Sequence, residues 1–414
     1  MKTAAVITEY NPFHNGHLYQ LRKMREAGVE CIIIVMSGNF TQRGIPAIYD
    51  KYARASMALE NGADLVFELP VYYATGSAEY FAKGAVTLLD YLNVVDTLYF
   101  GTECGDILSI KKCADVFLKE PEQYKAQLSQ YLKKGNSFPK ARQLALSDFL
   151  QDKSDSLSDL CIQPNNILGI EYVKELLRRN SSIIPQTIKR EGASYHSEEL
   201  SQNKQMFASA NAIRSSLSES NNTSLFKNHV PENVYQYMCS HTGKHALFVK
   251  DFSSVLLYQL RRFLAYEQQA EYYDMNLQLQ NIFKKNINFF QDWEQFALLC
   301  KSKEFTYTRI NRSLLHILLH MEQSTMESFR TEGDIFYARL LGFTKNGAKC
   351  MKSIKANGAV PIISKLADAS KKLSSSAGIS LQADLFASEV YYDTLSQKYG
   401  IPFISEYQKE IIKR

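Results

Sequence analysis

Short apolar runs alternate with helical patterns over roughly the first half of this 414-residue chain. The first run is Ala4–Ile7, and later runs cover 30–37, 64–70, 97–103 and 182–190. Each run is short enough to form a buried strand. Between the first two runs, Leu18, Leu21 and Met24 recur at helical spacing. Strands that alternate with helices predict βαβ units and a parallel sheet, so we expect an α/β fold.

The pattern changes at about residue 231, where amphipathic helical segments replace the short apolar runs. Examples of these segments are 253–266, 310–321 and 386–399. The chain is long enough for two or three domains. We therefore predict an α/β domain over residues 1–225 and a mainly α-helical domain over residues 226–414.

The most informative stretch lies between the first predicted strand and the first predicted helix. It reads Glu-Tyr-Asn-Pro-Phe-His-Asn-Gly-His over residues 9–17. A helix N-terminus presents unpaired N–H groups and the positive end of the helix dipole, and both favour phosphate. Gly16 allows close approach to the backbone, and His14 and His17 can donate to phosphate oxygens from one face of the first turn. The alternative is a helix-capping turn with two solvated histidines.

Three further segments place polar groups where ligands bind in open parallel sheets. Gly101 ends the fourth predicted strand and would let a ribose or base pack against the backbone. Asn165 and Asn166 begin a predicted helix, where they could hydrogen-bond adenine or ribose or simply cap the helix. The fifth predicted strand delivers Lys189 and Arg190 to its end.

Two other segments carry cations near helix starts. Lys51 and Arg54 lie three residues apart on a predicted helix that follows the polar loop 42–44. A solvated helix surface is the alternative, but the neighbouring loop favours a phosphate or substrate role. Ser209 begins a segment of small residues that leads to Arg214, a pattern that allows close phosphate approach and pairing with phosphate oxygens.

Composition narrows the class of protein without identifying it. Hydrophobic residues make up 45% of the chain and charged residues 22%, as in ordinary globular proteins. The absence of an apolar run of about 18 residues predicts no transmembrane helix, and the N-terminus has no signal-peptide pattern. Seven scattered cysteines without CxxC pairs favour a reducing cytoplasm. The net charge of +5 permits nucleic-acid binding without requiring it.

The clearest basic cluster lies in the predicted helical domain. Residues 339–372 contain eight lysines and arginines against one acid, Asp368. Such a surface is the electrostatic footprint of a phosphate backbone, although a solvated face is an equal alternative. No metal-ligand cluster is evident, because His316 and His320 lack an acidic partner between them. We therefore predict no resident metal site.

Several strings together resemble one family, the bacterial tRNA(Met) cytidine acetate ligases. The strings are EYNPFHNGH at 9–17, MSGNFTQRG at 36–44, GADLVFELP at 62–70, FGTE at 100–103, PNNILG at 164–169, IKREGASYH at 188–196 and SANAIRSSL at 209–217. The first contains the HxGH signature of the nucleotidyltransferase branch of the class I synthetase-like fold. The last resembles the second motif of that superfamily, (S)xSxxIR, but has Ala210 where a second serine is usual. The resemblance covers the N-terminal half of the chain.

The resemblance implies a Rossmann-like nucleotidyltransferase (HUP-type) parallel-sheet domain followed by a mainly α-helical, tRNA-binding domain. It implies a ligase that converts ATP and acetate into acetyl-adenylate and pyrophosphate. The acetyl group then passes to the wobble cytidine of elongator tRNA(Met), which gives N4-acetylcytidine. Any Mg²⁺ is expected to come with ATP. Two other classes stay open: an adenylyl- or cytidylyltransferase for a small cofactor, and a non-catalytic, nucleotide-dependent RNA-binding protein.

The motifs and the resemblance together define a predicted site. The predicted catalytic residues are His14, His17, Lys51 and Arg54. The residues predicted to contact tRNA are Lys345, Lys349, Lys352 and Lys355. The residues predicted to bind ATP are Ile7, Thr8, Glu9, Tyr10, Asn11, Pro12, Phe13, His14, Asn15, Gly16, His17, Leu18, Tyr19, Gln20, Gly101, Asn165, Asn166, Lys189, Arg190, Ser209 and Arg214.

Overall fold

The computed structural model describes residues 1–136, 138–151, 160–190, 209–219, 223–266, 271–371 and 373–414. Its strands are β1 (Thr3–Thr8), β2 (Cys31–Ser37), β3 (Leu65–Leu69), β4 (Thr97–Thr102), β5 (Ile184–Lys189), β6 (Ala338–Phe343), β7 (Ile362–Ile363) and β8 (Ile412–Lys413).

The α-helices of the described residues divide between the two predicted domains. The first part of the chain contains α1 (Asn15–Glu26), α2 (Lys51–Glu60), α3 (Val71–Ala74), α4 (Ala78–Leu92), α5 (Ile107–Lys119), α6 (Glu122–Lys133), α7 (Phe138–Leu150), α8 (Pro164–Arg178) and α9 (Ala210–Glu219). The second part contains α10 (Glu232–His245), α11 (Ser253–Tyr266), α12 (Leu277–Asn286), α13 (Trp293–Leu299), α14 (Tyr307–Leu318), α15 (Gln323–Glu332), α16 (Lys345–Asn357) and α17 (Ser375–Tyr399).

The strands form one mixed sheet in the order β5-β4-β1-β2-β3-β6-β7, and β8 pairs with β6. Strands β1 to β5 run parallel, which confirms the parallel sheet expected from the alternating pattern. Strand β6 runs antiparallel to β3, and β7 and β8 run parallel to β6. These three strands come from the C-terminal part of the chain. The sheet therefore contains strands from both sides of the predicted domain boundary at residue 225. The expectation that strands end near residue 231 is corrected.

Alternate side chains of the central strands pack on opposite faces of the sheet. In β2, Ile33 and Val35 join one core, while Ile32 and Ile34 join the other. Helices α4 and α8 and much of the C-terminal helical part cover the first face, and α1, α2, α9 and α10 cover the second. Because both faces are buried, the strands are continuous apolar runs in the sequence.

Among the described residues, none of the helices combines the length and the apolar character that crossing a bilayer would require.

Candidate active site

A cavity opens at the carboxyl ends of β1, β4 and β5. The strand order reverses between β1 and β4, which are neighbours in the sheet but not in the sequence. Open parallel sheets bind ligands at such a point. The cavity holds about 1430 Å³ when it is counted out to its open mouth. The residues that line it are Ile7, Thr8, Glu9, Tyr10, Asn11, His14, Gly16, His17, Tyr19, Gln20, Gln42, Arg43, Phe81, Phe100, Gly101, Asn165, Leu168, Tyr172, Ile188, Lys189, Arg190, Ser209, Ala210, Asn211 and Arg214.

The two histidines of the HxGH string form the start of α1. His14 is the N-cap residue, and its Nδ1 accepts the N–H of Gly16 at 3.0 Å. The Nδ1 of His17 accepts the N–H of His14 at 3.2 Å, and the two rings stack with centroids 3.7 Å apart. Because each Nδ1 is an acceptor, each neutral ring carries its proton on Nε2. Each histidine thus has an Nε2–H group with which it can donate to a ligand.

Both imidazoles are held in the neutral form. Burial, followed by the charges of Arg190, Arg214 and His229, lowers the pKa of His14 to about 3. Burial, followed by the charges of His14 and Arg190, lowers the pKa of His17 well below its ordinary value. Near pH 7 the two rings are therefore neutral donors, and the positive charge of the site must come from other residues.

Positive charge in the cavity comes from Arg43, Lys189, Arg190 and Arg214. Arg214 donates from Nη1 to the carbonyl of Asn11 at 2.9 Å, so it also fixes the turn before α1. Ser209 caps α9 by accepting the N–H of Ala212 at 3.0 Å. The first residues of α1 and the start of α9 line the same cavity, and the two helix N-termini together favour an anionic ligand.

One wall of the cavity is apolar and continuous with the core on one face of the sheet. It is formed by Ile7, Phe81, Phe100, Leu168 and Tyr172. The rings of Phe100 and Tyr172 meet edge to face with centroids 5.7 Å apart. An apolar wall beside a basic end suits a ligand that has a flat ring at one end and anionic groups at the other.

The structure brings most of the predicted ATP-binding residues to this cavity. Those that line it are Ile7, Thr8, Glu9, Tyr10, Asn11, His14, Gly16, His17, Tyr19, Gln20, Gly101, Asn165, Lys189, Arg190, Ser209 and Arg214. Their convergence comes from three strand ends and from the starts of α1, α8 and α9. Residues that are up to about 200 positions apart in the sequence therefore surround one volume.

Five residues of the predicted set do not line the cavity. Phe13 is fully buried, and Leu18 packs against the core beneath α1. The side chain of Asn15 donates to the carbonyl of Asn228 at 2.9 Å. Asn166 is buried, and its Oδ1 accepts the N–H of Glu103 at 3.0 Å, so it joins the end of β4 to the start of α8. The remaining residue is Pro12.

Lys51 lies outside the cavity and within a buried ionic cluster. Its Nζ is 2.8 Å from Glu68 Oε1, 2.9 Å from Glu406 Oε1 and 3.0 Å from Ser388 Oγ. Burial alone would lower the pKa of Lys51, but the carboxylates of Glu406 and Glu68 outweigh it and hold the pKa above its ordinary value. Its neighbourhood in this structure therefore corrects the expectation that Lys51 faces a ligand phosphate.

Arg54 is also fully buried and does not line the cavity. Its guanidinium donates to the backbone carbonyls of Tyr49, Glu9, Ser37 and Gly38. No carboxylate partner of Arg54 is found in the part of the chain that the structure describes, and a buried guanidinium of this kind needs such carbonyl contacts to satisfy its N–H groups. The structure thus places Arg54 as a clamp on the ends of β1 and β2, and not as a direct phosphate ligand.

The lysines predicted to contact tRNA lie at the opposite end of the sheet from the cavity. Lys345, Lys349, Lys352 and Lys355 belong to α16, on its solvent side. This helix crosses the amino ends of the strands: Asn346 donates to the carbonyl of Glu30 at 2.7 Å, just before β2. A strand as long as β2 spans roughly 20 Å at about 3.3 Å per residue. The whole length of the sheet therefore separates α16 from the cavity, and tRNA contact by these lysines stays a prediction.

Several lining residues were not identified from the sequence as ligand contacts. The sequence places the polar loop after β2 at a strand end where ligands bind, but it does not single out Gln42 and Arg43 of this loop as contacts. Phe81 and Tyr172 lie on α4 and α8, where an aromatic at helical spacing is indistinguishable from a core residue. The other members are Phe100, Leu168, Ile188, Ala210 and Asn211.

Comparisons with known proteins extend over the whole chain. Residues 1–401 match the family model described as HIGH Nucleotidyl Transferase. The chain is 42% identical to a tRNA(Met) cytidine acetate ligase of Caldanaerobacter subterraneus subsp. tengcongensis, over 96% of each protein. It is 41% identical to a protein of the same name from Clostridium perfringens, over 94% of this chain and 95% of the relative.

Two crystal structures of Thermotoga maritima TmcAL show the same fold. The apo form superposes with a TM-score of 0.91 at 32% identity, and the form bound with alpha-thio ATP with a TM-score of 0.88 at 31% identity. Each comparison covers 100% of this chain and 99% of the other. Together they confirm the nucleotidyltransferase-type α/β fold and the mainly helical C-terminal part that the sequence predicted.

Proposed function

Because this chain belongs to the HIGH nucleotidyl transferase family and, within it, to the tRNA(Met) cytidine acetate ligases, we propose that it acetylates the wobble cytidine of elongator tRNA(Met). The reaction uses ATP and acetate to make acetyl-adenylate and pyrophosphate, and then transfers the acetyl group to N4 of the cytidine. The observation that carries the proposal is the cavity. In it, two neutral histidine donors, several cations and two helix N-termini converge beside an apolar wall.

In this proposal the triphosphate of ATP lies against the start of α1. The Nε2–H groups of His14 and His17 donate to phosphate oxygens, and Lys189, Arg190 and Arg214 supply the opposite charge. Adenine packs against the apolar wall, next to Gly101 and Asn165. The relative from Thermotoga maritima that was crystallised with alpha-thio ATP supports a nucleotide ligand for this fold.

The first step is attack of an acetate oxygen on the α-phosphorus, with pyrophosphate as the leaving group. Negative charge develops on the phosphate oxygens, so preorganised donors in a partly buried site stabilise the transition state. The described residues contain no group of three histidines, cysteines or acids that could hold a metal ion. Mg²⁺ in this scheme arrives with the phosphates of ATP.

The second step is attack of the cytidine N4 on the acetyl carbonyl, with AMP as the leaving group. The anticodon base must leave its stack to reach the cavity, as bases do in other enzymes that modify them. A cytoplasmic location follows from this choice of substrates. Contact between the lysines of α16 and a more distant part of the tRNA completes the proposal.

The decisive experiment is to incubate the protein with ATP, acetate and unmodified elongator tRNA(Met), digest the tRNA and measure acetylcytidine by mass. We expect one acetylcytidine per tRNA, and none when acetate is omitted. A transcript in which uridine replaces the wobble cytidine is the matched control. Absence of acetylcytidine, together with ATP–pyrophosphate exchange that does not depend on acetate, would contradict the proposal.

A further inference from the structure

Glu9 is a carboxylate in a cavity whose other charged side chains are cations. Among the described lining residues it is the only acid, and it faces a volume shared with Arg43, Lys189, Arg190 and Arg214. The phosphates of ATP and the acetate ion are anions, which a carboxylate repels. A carboxylate at this place therefore suits a ligand group that carries positive charge or N–H donors.

The protein holds this carboxylate in a defined position. Glu9 Oε1 accepts the backbone N–H of Gln42 at 2.9 Å, and the carbonyl of Glu9 accepts from Arg54. Among the described residues no donor is found for Oε2. Burial, and next the charge of Glu9, raises the pKa of Tyr172, so the phenol stays protonated on the neighbouring wall. One carboxylate oxygen is thus fixed by the protein and the other is left for a ligand.

The order of the sheet places Glu9 at the β1 and β2 edge of the cavity, where Tyr172 of the wall proposed for adenosine is close enough to be affected by its charge. Strand β1 lies between β4 and β2. Gly101, Lys189 and Arg190 come from the β4 and β5 side, whereas the contact between Glu9 and Gln42 joins the ends of β1 and β2. If the nucleotide occupies the β4 and β5 side, the carboxylate borders the part of the cavity that is left for the acceptor base.

We propose that Glu9 is a catalytic residue of acetyl transfer and accepts the proton that leaves N4 of the acceptor cytidine. This inference rests on the proposed function. The bond from N4 to the carbonyl carbon forms, the bond from that carbon to the oxygen of AMP breaks, and AMP leaves with the electron pair. One N4 proton passes to Glu9 Oε2 and then to solvent, so no further reactant is needed.

The chemistry of the acceptor explains why a carboxylate is a sufficient base. The lone pair of the cytosine amine is delocalised into the ring, which makes N4 a poor nucleophile, and the neutral amine does not release a proton near pH 7 before it reacts. Its N–H bonds become acidic only as the bond to the carbonyl carbon forms. A base that takes the proton at that point contributes typically about 10²–10⁴-fold in rate.

The test separates the two half-reactions in Glu9→Gln. Glutamine keeps the shape of the side chain and an acceptor for the N–H of Gln42, but it cannot take up a proton. Acetate-dependent ATP–pyrophosphate exchange reports the first step, and single-turnover transfer from enzyme-bound acetyl-adenylate to tRNA reports the second. We expect the ratio of the transfer rate to the exchange rate to fall by about 100-fold or more.

Two further variants bracket this result. Asp115→Asn changes a carboxylate of α5 that pairs with Lys119 and does not line the cavity, so the ratio should stay within about twofold of wild type. Glu9→Asp keeps a base on a shorter side chain and should restore part of the transfer rate.

Each outcome either supports the inference or overturns it. A selective loss of transfer in Glu9→Gln supports it. Equal losses in both half-reactions, or a raised Mg²⁺ requirement for exchange alone, would mean that Glu9 serves ATP or its metal ion and would overturn it. If the wild-type protein makes no acetylcytidine, the proposed acceptor fails and the inference with it. An active wild type with equal losses in the variant overturns only the inference.

Discussion

The ligand cavity and the buried cluster around Lys51 use the same kinds of cation for opposite purposes. In the buried cluster every cation meets a carboxylate: Lys51 pairs with Glu68 at 2.8 Å, and Arg339 lies 3.5 Å from Glu406. In the cavity, Arg214 donates to neutral carbonyl groups, and the described residues contain no ion pair for Lys189 or Arg190. The buried cations are neutralised by the protein, whereas Lys189 and Arg190 have no carboxylate partner among the described residues.

This difference teaches which feature marks a binding cation. Residue type does not, because lysine and arginine occur in both places. Position after a strand does not mark a binding cation either. Lys51 starts the helix that follows β2, and Arg190 follows β5 directly. Among the described residues, what separates Lys51 and Arg339 from Lys189 and Arg190 is whether a carboxylate from another part of the chain reaches the cation. That property appears only when the chain has folded.

The largest effect should come from breaking the buried pair. Lys51→Met leaves Glu68 and Glu406 without their shared cation, and we expect the free energy of unfolding to fall by about 3–5 kcal/mol. Denaturant unfolding followed by circular dichroism measures it. Lys189→Met is the matched control, because the loss of an exposed cavity cation should leave stability near wild type while it weakens ATP binding. A Lys51→Met variant as stable as wild type would remove the contrast.

The next effect concerns the neutral donors of the cavity. His17→Ala removes one preorganised Nε2–H group, and we expect acetate-dependent ATP–pyrophosphate exchange to fall by about 10²–10³-fold. The folded state should persist, because the lost cap of α1 costs only about 1 kcal/mol. A thermal melt run beside the exchange assay checks this. Wild-type exchange in the variant would show that the ring does not act on the phosphates.

A smaller effect should appear as a pH dependence of stability. The pKa of His14 is about 3 in the folded protein, below its ordinary value of about 6.5. Below pH 6.5 the unfolded chain binds a proton that the folded protein does not. Stability is therefore full above this ordinary pKa and falls as the pH is lowered towards about 3, by up to about 1.4 kcal/mol per pH unit for this histidine.

Urea unfolding at a series of pH values between about 7 and 5 measures this slope. The variant His14→Asn keeps a capping side chain and removes the titrating group, so its stability should fall less steeply than that of wild type. Identical slopes for the two proteins would mean that His14 takes up its proton without unfolding, and hence that it is not held neutral by burial.

The smallest effect concerns the lysines of α16, which are neither in the cavity nor in the buried cluster. Replacing Lys345, Lys349, Lys352 and Lys355 by alanine should weaken tRNA binding modestly and leave ATP–pyrophosphate exchange at the wild-type rate. Each lost phosphate contact lowers the slope of log K against log salt by about 0.7–0.9. A slope equal to that of wild type would identify these lysines as a solvated face.

The sequence predicted the parallel part of the sheet well, because each of the central strands is buried on both faces and reads as an apolar run. The predicted runs at 30–37 and 97–103 correspond to β2 and β4 within one residue. Strand β6 escaped prediction because Arg339 lies within it and made the segment look like part of a basic surface. Its charge is neutralised by Glu406, 67 positions further along the chain, and no local pattern reveals such a partner.

The residues of the site were predictable where they act together within a short stretch of the sequence. His14, His17 and Gly16 lie within one turn, so their joint action is visible in the sequence. Lys51 has the same local signals as a phosphate ligand, and only the folded chain shows its carboxylate partners. Phe81 is the converse case: its helical spacing is that of a core residue, and only the position of α4 beside the strand ends makes it part of the cavity wall.

The antiparallel pairing of β6 with β3 has a consequence for how the protein is made. The second edge of β3 is paired only by residues 338–343 of β6. These residues leave the ribosome long after residues 65–69. Until then the nascent chain carries an open strand edge, which is a template for pairing with other chains. Late contacts between distant segments also slow folding. We therefore expect that a chain that stops before residue 338 aggregates during synthesis, and that the full-length chain reaches its native state only after release.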